Sequence, residues 1–349
     1  MSSRLLRWLP AAIAPMVVAG AVAAPLVATA SADLPAKSPS EVLALIAQSK
    51  LIPGFTGTVQ QTSDLGLPEL PSTGPGSDSS TASTLDLLTG THTARVEAAG
   101  PDKSRIAVLD TMGERDIVRD GPDLWLWDSA KHTATHVKRS GDASSPESSA
   151  LTPAEAADQA LAKVGPSTDV TVDTTTSVAG QPAYTLVLTP KATDTTVGSI
   201  RIAVAAKTGL PLEVQALAKG ATNPAFEVKF TTLTYDVPGA ETFVFVPPSG
   251  ATVREHSAPS GPGDRPKAQP PAAGKPTVTG AGWDAVVTVP AGDVPASLTK
   301  NANYLRLTQE VAGGRALTTS LVNVLRTDDG RVLAGAVPLD RLQAVAAQH

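Results

Sequence analysis

From residue 38 to residue 246 the chain carries twelve short stretches rich in Thr, Val and other strand-forming residues, separated by turn residues, and only two segments with helical spacing. Six stretches, 55–62, 93–97, 105–108, 114–119, 124–128 and 133–138, precede the second helical segment, and 170–178, 182–188, 199–204, 212–218, 226–235 and 242–246 follow it. Period-two alternation is clearest in Phe226-Glu227-Val228-Lys229-Phe230 and Ile200-Arg201-Ile202, the mark of strands with one buried face. Strands this closely spaced join through local turns and form an antiparallel meander, hence a barrel or a strongly curved sheet. Two short helices are too few to build βαβ units. The expected class is therefore mainly β with short helices.

The helix signals are specific. Ser38-Pro39-Ser40-Glu41 is a capping box with proline at the first helical position, and the helix it opens places Val42, Leu45 and Ile46 on one face before Pro53-Gly54. Thr152-Pro153-Ala154-Glu155 repeats the device, and its helix is expected to run to about Val164, with Ala157, Ala160, Leu161 and Val164 at helical spacing ahead of Gly165-Pro166. Residues 67–83 and 140–149 read as long loops, and residues 257–276 as a Pro/Gly/Ala linker without periodicity. Beyond the linker, strand signals fall at 285–289, 304–310, 319–326 and 331–337, with Thr327-Asp328-Asp329-Gly330 as a hairpin turn and a closing helix over 338–347. The expected organisation is a leader over 1–32, a large β domain over 33–255, a linker over 256–276 and a small α+β module over 277–349.

The leader reading rests on Arg4 and Arg7, an apolar run over 9–30, and Ala30-Ser31-Ala32 as a small-x-small cleavage pattern. Pro10, Pro15 and Pro25 interrupt the run, which suits a cleaved signal better than a retained anchor, although its length would reach across a bilayer. Export with cleavage after Ala32 is expected, placing the protein in the cell envelope or outside the cell. The formal charge is −5 from 28 basic and 33 acidic residues; without Arg4 and Arg7 it becomes 26 against 33, or −7. No block of Lys and Arg stands out, which argues against a nucleic-acid surface.

Catalytic signatures are sparse. There is no cysteine, which removes disulfides, thiolate metal sites, cysteine nucleophiles and lipid attachment through an N-terminal cysteine. No G-x-S-x-G, H-E-x-x-H or P-loop pattern occurs. Gly280-Ala281-Gly282-Trp283-Asp284-Ala285 matches a dinucleotide-binding pattern by letter but precedes a strand rather than opening a helix. His132 and His136 are the close histidine pair; on a strand they stand about 13 Å apart, too far to share one zinc, and read as solvated. Nothing singles out one pair of carboxylates for hydrolysis. No enzyme, metal or cofactor is expected. What remains is an apolar face, with Ile106, Val108, Trp125, Trp127, Leu186, Leu188, Ile202, Val204, Phe226, Val228 and Phe230 as candidate inward positions. Alternation by itself favours an ordinary filled core, and periodicity cannot say whether an apolar face meets side chains or a ligand.

Three local patterns bear on that choice. Val118-Arg119-Asp120-Gly121-Pro122-Asp123-Leu124-Trp125-Leu126-Trp127-Asp128 resembles a hairpin of the LolA-like superfamily, which covers periplasmic lipoprotein carriers and the RseB/MucB-type sigma-factor regulators. Ala206-Lys207-Thr208-Gly209-Leu210-Pro211-Leu212-Glu213-Val214 resembles a second hairpin of that superfamily, and Phe55-Thr56-Gly57-Thr58-Val59 its first strand. The resemblance spans roughly residues 38–250. It implies an unclosed antiparallel β-barrel whose concave apolar face is capped by helices and binds acyl chains. Val42, Leu45 and Ile46 of the first helix, and Ala157, Leu161 and Val164 of the second, would then form the lid. The RseB-type members add a smaller C-terminal domain, as residues 277–349 do here.

Three functions compete. The first is an exported lipid- or lipoprotein-binding protein, carrier or envelope sensor, with an acyl chain as partner and transient membrane contact. The second is a regulator that binds the outer domain of a membrane anti-sigma factor. The third is an envelope enzyme, which would need convergent polar groups in a cleft.

Overall fold

The computed structural model describes residues 34–67, 90–110, 113–138, 152–162, 164–257, 276–294 and 302–348. The leader, nearly all of both long loops and the linker apart from its ends lie outside the described residues. Both capping boxes form. Helix α1 (Pro39–Gln48) starts with Ser38 and Glu41 capping each other, and the Ser38 backbone N–H and hydroxyl hold the Glu41 carboxyl below its ordinary value. Helix α2 (Pro153–Leu161) starts the same way at Thr152 and Glu155. It ends three residues before the expected Val164, whose N–H bonds the Leu161 carbonyl in a closing turn.

Twelve strands form one sheet. They are β1 (Gly54–Ser63), β2 (Gly90–Ala99), β3 (Lys103–Asp110), β4 (Gly113–Asp120), β5 (Asp123–Asp128), β6 (Thr133–Lys138), β7 (Thr168–Val178), β8 (Gln181–Pro190), β9 (Val197–Ala205), β10 (Pro211–Ala218), β11 (Pro224–Thr234) and β12 (Thr252–Ser257). The spatial order is β12-β6-β5-β4-β3-β2-β1-β11-β10-β9-β8-β7, so two meanders, β2–β6 and β7–β11, meet on either side of β1. The sheet is unclosed, with β12 and β7 as its edges, and it curls far enough to bring β7 against β11, four strands away. The fold class is thus the expected one, with one departure: β12 pairs with β6 in parallel.

The strand expected at 242–246 does not form. Pro247 and Pro248 cannot donate to a ladder, and the chain instead makes a 3₁₀ turn over Ala240–Phe243. That turn buries Phe243 against β3 and β4 on the outer face before β12 begins.

A second sheet contains β13 (Thr277–Thr279), β14 (Val286–Val289), β15 (Gln309–Val311), β16 (Gly314–Leu317), β17 (Asn323–Thr327) and β18 (Val332–Gly335), ordered β13-β14-β18-β17-β16-β15. The expected strand over 304–310 is replaced by helix α3 (Ala302–Leu307) and the short β15, because Leu307 turns inward and Thr308 bonds back to the Tyr304 carbonyl. The strand expected from 319 starts at Asn323, since the Thr319 hydroxyl accepts from the Leu321 and Val322 N–H groups in a turn. Helix α4 (Leu339–Ala346) buries Leu342 and Val345 on Val286, Leu325, Leu333 and Val337.

The two sheets touch at one end of the larger one. Trp283 Nε1 donates to Thr168 Oγ1 at 2.7 Å, Thr195 Oγ1 to the Ala336 carbonyl at 2.8 Å, Thr196 Oγ1 to the Leu321 carbonyl, and Ser320 N–H to the Leu65 carbonyl at 3.1 Å. Gly282, from the dinucleotide-like pattern, serves this junction: its φ is positive, and a side chain there would meet Ser167 Oγ.

Candidate functional site

Residues paired across neighbouring strands point to the same face, so register assigns the faces. One row runs Val172, Leu186, Ile202, Val214, Val228, Gln61 from β7 to β1; a second runs Val170, Leu188, Ile200, Ala216, Phe226, Ser63. Val204 pairs with Tyr184, Phe230 with Val59, Val59 with Ala94, Ala94 with Val108, and Val96 with Ile106. Nine of the expected inward residues, Ile106, Val108, Leu186, Leu188, Ile202, Val204, Phe226, Val228 and Phe230, therefore share the concave face. Phe226 is half-buried; the others are buried.

Trp125 and Trp127 do not join them. On β3, β4 and β5 the concave positions are Ile106, Ile117 and Leu126, so the tryptophans, one residue out of step, point outward. There Trp125 stacks on His136 with ring centroids 4.2 Å apart, and Phe245 lies 5.3 Å from Trp125 and 6.2 Å from Trp127. His136 is not a solvated strand histidine. Its Nε2 lies 2.9 Å from Asp123 and its Nδ1 2.7 Å from Glu255, pinning β12 to the sheet edge. His132 sits in the preceding turn with φ of 51°. Among the described residues no group of three His, Asp or Glu side chains is placed to hold a metal.

The positions expected to form a lid also converge on the concave face. Val42, Ile46 and Ala157 are buried in the core made by that face, and Leu45, Leu161 and Val164 pack partly against it. Helix α1 lies over β7–β9 and α2 over β10 and β11. The fit of α1 depends on Gly209 in the β9–β10 turn, whose backbone presses against the Leu45 carbonyl with φ of +73°.

Beside that turn, where α1 gives way to the 3₁₀ turn Ser49–Leu51, an open pocket of about 420 Å³ is lined by Leu51, Ile52, Lys207, Thr208 and Tyr235 among others. Tyr235 Oη and Thr208 Oγ1 are hydrogen-bonded at 2.8 Å. Sequence reasoning did not single this pocket out, because its residues come from three separate turns.

A carboxyl pair sits on the outer face of β10 and β11. Gln215 Nε2 donates to both Glu213 and Glu227 at 2.9 Å, and Lys229 Nζ lies 2.7 Å from Glu227. Burial, then the hydrogen bond and charge of Glu227, pushes the Glu213 carboxyl up to about 7. Burial would raise Glu227 too, but the hydrogen bonds from Lys229 and Gln215 and with Glu213 hold it below the ordinary value. A carboxyl raised in the folded state stabilises below its ordinary value near 4.5, and that contribution is lost as pH rises through about 7. The lowered Glu227 works in the opposite sense at more acidic pH. Wild type should lose on the order of 2 kcal/mol between pH 5 and 8 after solvent screening, and Glu213→Gln should flatten that slope in urea denaturation. Equal slopes for the two proteins would refute the assignment.

No protein-family model and no curated protein matches the chain. Among solved structures it is similar to MucB in the Pseudomonas aeruginosa MucA/MucB complex, at 17% identity over 88% of this chain and 96% of that one, with a TM-score of 0.43. A structure of MucB in complex with MucA(peri) matches at 16% identity, 88% and 97% coverage and a TM-score of 0.44. A LolA superfamily protein from Nitrosomonas europaea matches at 12% identity, covering 60% of this chain and 99% of that one, with a TM-score of 0.23.

Proposed function

We propose that this chain is an exported, non-enzymatic lipid- or lipoprotein-binding protein, a carrier or envelope sensor, with residues 33–255 as the binding domain and 277–349 as a second domain. One observation carries the reading: nine aliphatic and aromatic residues from four strands form one face of an unclosed sheet, covered by two short helices. Burial alone holds an acyl chain there, at about 0.8 kcal/mol per CH₂. The two helices differ as covers. Helix α1 inserts Val42 and Ile46, whereas the buried residues of α2 are Pro153, Ala156 and Ala157. Lifting α2 uncovers smaller buried side chains than lifting α1.

Native mass spectrometry of protein purified from its own envelope, followed by organic extraction, tests this. A stoichiometric acylated species is expected. Phe226→Ala, at a half-buried concave position, should reduce its retention about tenfold, one missing aromatic contact being worth over 1.4 kcal/mol. A clean apo mass would overturn the reading. The second reading is a regulator that binds the outer domain of a membrane anti-sigma factor. It is favoured by the complete burial of Leu186, Leu188, Ile202, Val204 and Val228, which leaves the concave face filled while both helices are seated.

A further inference from the structure

We infer that the pocket at the seam of α1 and the β9–β10 turn is the mouth through which a single-chain anionic amphiphile reaches the concave face, its head on Lys207 and the Thr208–Tyr235 hydroxyls and its chain over Leu51 and Ile52. The inference rests on the proposed lipid-binding function and adds where the ligand enters and what head group it carries.

The pocket borders the core. Ile52 and Tyr235 line it and also pack against the buried cluster beneath α1. Its chemistry is that of an amphiphile site. Lys207 is exposed, supplies the one charge among the lining residues and makes no ion pair among the described residues, so a negative head group would meet a cation and no carboxylate. Tyr235 and Thr208 share a single hydrogen bond between two hydroxyls, which leaves one hydroxyl proton free to donate outward. Burial raises the Tyr235 phenol, keeping it a neutral donor. At the rim, Leu51 is 82% exposed and Val237, which packs beside Gly54, is 57% exposed. These are aliphatic side chains left largely in water.

Size and position narrow the ligand. About 420 Å³ lies at the small end of the usual ligand-pocket range, which suits one chain rather than two. The pocket lies at the Gly54 end of β1, while the second sheet touches the chain just beyond the Ser63 end. Ten residues of strand put roughly 30 Å between them, so the second sheet does not obstruct the mouth.

The test uses the full chain and two probes, a conjugated eighteen-carbon fatty acid read by fluorescence and a photoreactive fatty acid whose cross-links are mapped by peptide mass spectrometry. Both substituted side chains are exposed, so the variants should fold. Lys207→Glu should weaken fatty-acid binding about tenfold, Lys207→Arg should stay within about twofold, and Leu51→Ser should weaken it several-fold. Cross-links should fall within residues 48–54 and 207–208. A long-chain alcohol should bind without dependence on Lys207. If wild type binds but Lys207→Glu binds equally and the cross-links map elsewhere, the mouth is wrong and the lipid-binding reading stands. Association with vesicles of anionic phospholipid but not with the monomeric probe would replace the pocket by a membrane-surface contact. No binding of fatty acid, lysophospholipid or vesicles would overturn both.

Discussion

Replacing Gly209 with alanine should cost at least about 4 kcal/mol and release α1 from the sheet. Two effects add. The residue has φ of +73°, where a Cβ costs about 1–2 kcal/mol. The added carbon would also lie 1.8 Å from the Leu45 carbonyl oxygen and 2.4 Å from its carbon. Both atoms are backbone, so no side-chain rotation relieves the overlap; the helix must move, taking Val42 and Ile46 out of the core. Gly121, in the β4–β5 turn, is the control: its φ is +58° and a Cβ there meets nothing within 4 Å, so Gly121→Ala should show the conformational cost alone. Urea denaturation of both variants measures the difference, and dye binding to exposed apolar surface reports the freed helix. A Gly209→Ala loss within about 1 kcal/mol of the control would mean that α1 is not seated on this turn.

The second large effect concerns Arg105→Met, for which a loss of about 3–5 kcal/mol is expected. Asp116, 4% exposed on the outer face, receives Arg105 Nη2 at 2.5 Å, while its other carboxylate oxygen is buried without a hydrogen bond. The charge of Asp116 already raises the carboxyl of nearby Glu114. Removing the guanidinium leaves a desolvated carboxylate uncompensated. The double variant Arg105→Met/Asp116→Leu should recover most of the loss, because a buried pair replaced by apolar groups is often close to neutral. A single variant costing under about 1 kcal/mol, or a double variant no better than the single, would show that the pair does not hold this part of the sheet.

Strand positions were legible because most strands have one dry face and one wet one. The alternation of Phe226, Val228 and Phe230 against Glu227 and Lys229 assigns both the strand and its inner side. Both helix starts were legible because a capping box is local chemistry. The tryptophans were misplaced where that logic fails. Leu124-Trp125-Leu126-Trp127 is apolar on both faces, since the segment carrying Phe243 and Phe245 covers the outside of β5. No periodicity in β5 encodes a partner more than a hundred residues away. The same holds for β12, whose parallel pairing with β6 adds Glu255 to His136. Residues 302–307 failed for a different reason: six residues are too few to separate a helical period from an alternating one. Gly209 was visible as part of a motif, but its contact with Leu45 joins segments that only the folded chain brings together.

The central place of β1 has a kinetic consequence. Each meander zips up between neighbours in the chain, but the β1–β11 ladder joins residues such as Thr58 and Thr232, 174 positions apart. Closing a loop of that length carries a large entropic barrier, and no partial ladder repays it early. Until β11 arrives, β1 presents a bare edge able to recruit strands from other molecules, and the two wings share no common floor. The concave face is then completed in one late, cooperative step rather than accumulated strand by strand, and the interval before it is when the nascent molecule most needs shielding from its own copies.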